Sequence, residues 1–137
     1  MKDSSVYSCS IVELPRISDG QGSITAVNNG IEIPFDTRRV YYLYDVPSGS
    51  ERGGHAHKAL HQLIVAAAGS FVITVDDGKI KRSFHLSRPN MGLYLPPGLW
   101  RSLHDFSGGG ICMVLASEAY SEEDYIREYV DFLEYKK

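Results

Sequence analysis

The sequence lacks most of the features that mark a specialised protein. It has two cysteines, Cys9 and Cys112, in 137 residues. They are too few for a disulfide framework and show no C-x-x-C spacing. Each reads as a small core residue in a reducing setting, so a cytoplasmic protein is expected. No apolar run approaches the roughly 18 residues that span a membrane. Neither sign of charge dominates: the formal net charge is −3, and both signs are spread along the chain. That excludes the basic stripe through which nucleic acid is bound. Met1-Lys2-Asp3-Ser4-Ser5 lacks the charged-then-apolar pattern of a signal peptide. Internal repeats, linkers and low-complexity segments are also missing. Hydrophobic residues make up 43% and charged residues 23%, enough to build one ordinary globular core over residues 1–137.

What is present is a series of short apolar or alternating runs punctuated by turn residues. Residues 6–17 read as an N-terminal strand that meets Pro15. Asp19-Gly20-Gln21-Gly22-Ser23 is a turn cluster. Ser23 to Val27 reads as a second strand, and Asn28-Asn29-Gly30 as the hairpin turn that ends it. Pro34 marks residues 31–35 as an edge piece. Arg38 to Val46 is a β-branched and aromatic strand. Further strands are predicted at 63–68, 71–75, 79–86, 91–95, 100–106 and 111–116. Turns recurring about every 8–12 residues give the rhythm of an all-β sandwich or barrel. The tail differs. Ser121 resembles a helix N-cap with Glu122, Glu123 and Asp124 behind it, and apolar residues follow at helical spacing. A short C-terminal α-helix is predicted from about 122 to 134.

One stretch does not fit the role of core filling: Arg52-Gly53-Gly54-His55-Ala56-His57. On a strand, residues two apart share a face, so His55 and His57 point the same way. Each buried imidazole nitrogen needs a partner. The pair is therefore either a satisfied structural pair or part of a working pocket.

Spacing around the pair brings in a resemblance. Gly49, His55, His57, Gln62 and Gly69 fit the first cupin motif, G-x5-H-x-H-x3,4-E-x6-G, with Gln62 at the glutamate position. Pro96-Pro97-Gly98 supplies the P-x-G of the second motif, whose histidine and asparagine positions hold Arg101 and Asp105. The chain thus resembles the cupins, which implies a jelly-roll barrel. Metal cupins hold their ion with three histidines and a carboxylate. Here one position is a neutral amide and another a guanidinium that cannot ligate, so no metal is expected. A pocket with two histidines then points to acid–base work. Imidazole titrates near pH 6.5, and mutual repulsion favours one neutral and one protonated ring. That pairing suits proton transfer next to a carbonyl.

A closer resemblance covers residues from about 17 to 133. Arg39-Val40-Tyr41-Tyr42, Arg52-Gly53-Gly54-His55-Ala56-His57-Lys58, Asp76-Asp77-Gly78, Gly92-Leu93-Tyr94, His104-Asp105-Phe106, Met113 to Ser117 and Asp124-Tyr125-Ile126-Arg127 are similar to the bacterial nucleotide-sugar 3,4-ketoisomerases. The resemblance implies conversion of dTDP-4-keto-6-deoxyglucose to its 3-keto isomer through an enediolate. It implies no cofactor, and a homodimer with exchanged N-terminal strands. It also implies a downstream pyridoxal-phosphate-dependent aminotransferase that consumes the product. The catalytic pair it implies is His55 and His57. Arg52 is expected to hold the diphosphate, and Arg127 to contact the nucleotide. Tyr42, Gln62 and His104 are expected at the substrate, with Gln21 in a loop that influences which face of C4 is protonated. Two rival readings stay open: a cupin 3,5-epimerase of the same substrate, and a non-catalytic nucleotide-sugar-binding cupin.

Overall fold

The computed structural model describes residues 1–137. Twelve strands and one α-helix follow in chain order: β1 Ser10–Glu13, β2 Ile17–Asp19, β3 Gly22–Ile24, β4 Arg39–Leu43, β5 Arg52–His57, β6 Gln62–Ala68, β7 Phe71–Asp76, β8 Lys81–Leu86, β9 Met91–Leu95, β10 Trp100–His104, β11 Ile111–Ala116, β12 Tyr125–Ile126 and α1 Tyr129–Tyr135. Short 3-10 turns cover Val6–Ser8 and Glu122–Asp124.

Two five-stranded antiparallel sheets form, in the orders β1-β9-β6-β11-β4 and β12-β5-β10-β7-β8. They face each other as a jelly-roll sandwich, the cupin arrangement that the sequence pattern predicts. Sixteen buried residues fill the space between them, among them Ile64, Phe71, Ile73, Leu93, Leu103 and Val114. Odd-numbered positions of β7 and β10 point inward, as the period of two requires. Strand β6 is apolar on both faces because both are covered: Leu63 and Val65 pack outward under Leu14, Ile33 and Phe35. Both cysteines are buried and unpaired, and burial pushes each thiol up to about 12.

Strand β10 is the hinge of the site. Arg101 is the cross-strand partner of His55, and Leu103 that of Arg52, so β5 carries one residue more than β10 between them. This bulge is accommodated at Gly53, whose φ is +72°. A Cβ there would lie 3.3 Å from Arg101 Nη1.

The tail departs from expectation. The predicted helix of about 122–134 is a 3-10 turn, a two-residue strand and then a seven-residue helix. Strand β5 would otherwise be a bare sheet edge. Tyr125 and Ile126 pair with His57 and Ala56 there, and this pairing outweighs helical spacing. Phe132 of α1 then packs on Ala56 and Ile126. Near the N-terminus the turn cluster at 19–23 joins β2 to β3 as the pattern predicts, whereas Asn28-Asn29-Gly30 makes a turn, closed by Ile31 N–H on the Asn28 carbonyl, that joins no two strands of a hairpin. No helix is long and apolar enough to cross a membrane.

Candidate active site

At one end of the sandwich the interior changes from apolar to charged. Alternation along β4, β5 and β10 brings Arg39, Tyr41, His55 and Arg101 together, and Arg52, Tyr125 and Arg127 complete the walls of a cavity of about 290 Å³. Arg101 is only 2% exposed. Its Nη2 donates to His55 Nε2 at 3.1 Å and to the Tyr41 hydroxyl at 3.0 Å. Gln62 Nε2 donates to the same hydroxyl at 3.0 Å. Arg101 Nε and Nη1 have no partner although they are buried. A buried guanidinium with unpaired donors disfavours folding, and such groups concentrate where an oxygen-rich ligand is bound.

The two histidines occupy different surroundings. Burial, and after it the Arg101 charge, push His55 down to about 2. It is therefore neutral near pH 7, and the guanidinium groups it faces help to keep it so. His57 is 4% exposed and lines a second cavity of about 360 Å³. Its Nδ1 lies 3.0 Å from Asp124 Oδ2, while Nε2 is buried without a partner. Burial and the Arg101 charge lower His57 to about 4, with Asp124 acting in the opposite sense. The contact with Asp124 is thus a hydrogen bond from a neutral imidazole rather than an ion pair at neutral pH. The two rings stand perpendicular with centroids 4.9 Å apart. Tyr125 packs against both, at 5.0 Å and 4.3 Å.

At the rim, Arg127 donates through Nε and Nη2 to the two oxygens of Glu122, at 2.5 and 2.8 Å. Its guanidinium lies 4.1 Å over the Tyr125 ring. These hydrogen bonds hold the Glu122 carboxyl well below the usual carboxylate range.

The residues singled out from the sequence are distributed unevenly around this site. His55, Arg52 and Arg127 line the cavity. His57 lies beside it, and Gln62 supports Tyr41 from within the core. Tyr42 does not line it: the side chain is on the opposite face of β4 and 60% exposed. The phase of that strand puts Tyr41 inside instead. His104 is also displaced. It projects from the outer face of its sheet and hydrogen-bonds Thr74 Oγ1 at 2.8 Å. Gln21 stands in the exposed turn between β2 and β3 and lines none of these walls. Arg39, Tyr41, Arg101 and Asp124 were not among the expected site residues. Arg101 carried a signal through its place at the second motif's histidine position, while Arg39, Tyr41 and Asp124 stood in matching runs without being singled out. The donor set does not suit a metal ion. No group of three His, Cys, Asp or Glu is placed to hold one, and Arg101 engages His55 Nε2.

Residues 7–137 match the family described as FdtA: WxcM-like, C-terminal. The chain belongs to the FdtA family. Within that setting it is 42% identical over 125 residues to the TDP-4-oxo-6-deoxy-alpha-D-glucose-3,4-oxoisomerase of Aneurinibacillus thermoaerophilus, covering 91% of this chain and 90% of that protein. It also superposes on the sugar 3,4-ketoisomerase QdtA of Thermoanaerobacterium thermosaccharolyticum, solved in complex with TDP. There the TM-score is 0.92 at 38% identity, over 95% of both chains. The TDP-quinovose 3,4-ketoisomerase WlaRB of Campylobacter jejuni matches with a TM-score of 0.89 at 41% identity, over 94% of this chain and 99% of that one.

Proposed function

We propose that the protein is a nucleotide-sugar 3,4-ketoisomerase that converts dTDP-4-keto-6-deoxyglucose to the 3-keto-6-deoxyhexose by acid–base chemistry. The observation that carries this reading is a neutral, half-buried imidazole, His55, facing a cavity ringed by Arg39, Arg52, Arg101 and Arg127. Guanidinium forks suit a diphosphate, which would hold the sugar through a part remote from the reacting carbons. His55 Nε2 is the proposed general base for the C3 proton. In the structure that lone pair is engaged by Arg101. A sugar oxygen that draws the guanidinium away frees the lone pair at the moment the substrate is in place. The electron pair of the C3–H bond moves into the C3–C4 bond and the C4 carbonyl becomes an enolate oxygen. The unpaired donors of Arg101 suit that developing charge. The O3 proton passes to O4, C4 takes a proton, and the ketone rests at C3.

The deciding experiment is incubation with dTDP-4-keto-6-deoxyglucose in deuterated water, followed by NMR. The expected product is the 3-keto isomer with solvent deuterium at C4. Label at C5 with the ketone unmoved would instead make the protein a 3,5-epimerase, and tight binding without turnover would make it a binding protein. The same reading includes a homodimer in which the N-terminal strands are exchanged. It is supported by exposed Ile17, Ile24, Val40, Tyr42 and Tyr44, which a partner would cover. Sedimentation at micromolar concentration tests it. A cytoplasmic setting and a pyridoxal-phosphate-dependent aminotransferase as consumer of the 3-keto product complete the proposal.

A further inference from the structure

Asp124 makes more contacts with the histidine strand than any role in the tail would need. Its Oδ2 is 3.0 Å from His57 Nδ1, its Oδ1 accepts from Ala59 N–H at 2.7 Å, and its backbone carbonyl accepts from Lys58 N–H at 3.0 Å. Both carboxylate oxygens are therefore committed to β5 and the residues directly after it. A carboxylate only accepts, so His57 Nδ1 must carry a hydrogen. In the neutral ring that leaves Nε2 as a lone pair, and Nε2 is buried without a partner. A buried acceptor left open beside a reactive imidazole is a group kept for a proton.

We propose that Asp124 is a positioning residue: it fixes His57 in the Nδ1–H tautomer, so that Nε2 receives the proton leaving O3 and returns it to O4. The proposal deepens the ketoisomerase reading and rests on it. His55 then handles the carbon-bound proton, taking it from C3 and supplying C4, while His57 handles the oxygen-bound one. Each imidazole gains and loses one proton per turnover, so the enzyme ends as it began. The imidazolium formed transiently on His57 is stabilised by Asp124, without the carboxylate itself being protonated.

Several groups face His57. Arg101 from β10 and Arg39 from β4 oppose its protonation, His55 stands beside it on β5, and Tyr125 from β12 packs on its ring. Asp124 is the group that favours the charged form. Without its charge, His57 becomes a weaker proton acceptor still.

Two readouts test this on the full-length protein. The first uses no substrate. Long-range nitrogen–proton NMR of labelled protein should show His57 as Nδ1–H in the parent. In Asp124→Asn the proton should move wholly or partly to Nε2, because the carboxamide can present N–H to the ring, and the His57 titration should shift to lower pH. The second is steady-state turnover of dTDP-4-keto-6-deoxyglucose. Asp124→Asn should lose about 10²-fold in kcat with little change in KM, the acid limb of its pH profile should move to lower pH, and Asp124→Glu should recover part of the loss. An unchanged His57 tautomer and titration in Asp124→Asn would overturn the proposal, and so would a loss confined to KM. If the parent protein does not isomerise this sugar, the ketoisomerase reading fails. The NMR arm then decides the tautomer assignment alone, and the proton-shuttle role falls with the reaction.

Discussion

Between the same two sheets lie two different interiors. One end is closed by sixteen buried apolar residues. The other holds His55, Gln62, Tyr41 and an arginine with unpaired donors. The same strands build both. Strand β10 gives Leu103 to the apolar end and Arg101, two residues away, to the polar one, and β6 gives Ile64 and Gln62 in the same manner. The period of two puts such pairs on one face, and position along the strand decides which interior each enters. The apolar end holds the unpaired polar groups in place, so stability and chemistry are divided along the length of single strands.

That division can be broken or sharpened by experiment. His55→Asn should lose roughly 10²–10⁴-fold in turnover while the melting temperature stays near that of the parent. A loss below tenfold, or an equal collapse of stability, would erase the contrast. At the other end, Phe71 is fully buried and stacked on Phe106 at 5.0 Å. Phe71→Ala should cost about 3–5 kcal/mol in chemical denaturation and leave KM of the folded fraction unchanged. A shift in KM would show that the two ends are not separable.

Acid should act most strongly on the polar end. His55 and His57, lowered to about 2 and about 4, stay neutral in the folded protein, while in the unfolded chain they titrate near the ordinary 6.5. The stability they contribute is present above that value and is lost as pH falls through the window down to about 4 and below. The loss is at most about 1.4 kcal/mol per pH unit for each group. Melting curves between pH 7 and 4 should fall more steeply for the parent than for the His55→Asn, His57→Asn double variant, and parallel curves would count against this assignment. The smallest effect is expected on the outer face. His104→Ala should change stability by under about 1 kcal/mol and leave kcat unchanged, whereas a clear loss of turnover would return His104 to the site.

The sequence made the sandwich legible because alternation and turn residues agree. Met91–Leu95 and Ile111–Ala116 lie where the pattern predicts them. The tail was misread because its apolar residues satisfy helical spacing while two of them are needed to pair with β5. The histidine pair was legible from spacing, but its neighbours depended on strand phase. In Arg39-Val40-Tyr41-Tyr42-Leu43-Tyr44 every position is bulky, so nothing local says which face is inside, and a one-residue error exchanges Tyr41 for Tyr42. Counting by twos from Arg101 would have kept Leu103 inside and placed His104 outside. Asp124 stood in one of the matching runs, but nothing local tied it to His57, because that partner is sixty-seven residues away in the chain.

The clasp between Arg127 and Glu122 carries a consequence for affinity. Two of the five guanidinium N–H donors already hold a bidentate carboxylate. The nucleotide contact proposed for Arg127 would have to share the guanidinium with Glu122 or take its place. Where it takes that place, binding at this rim would exchange one anion for another, and the net gain would be the difference between two similar bonds.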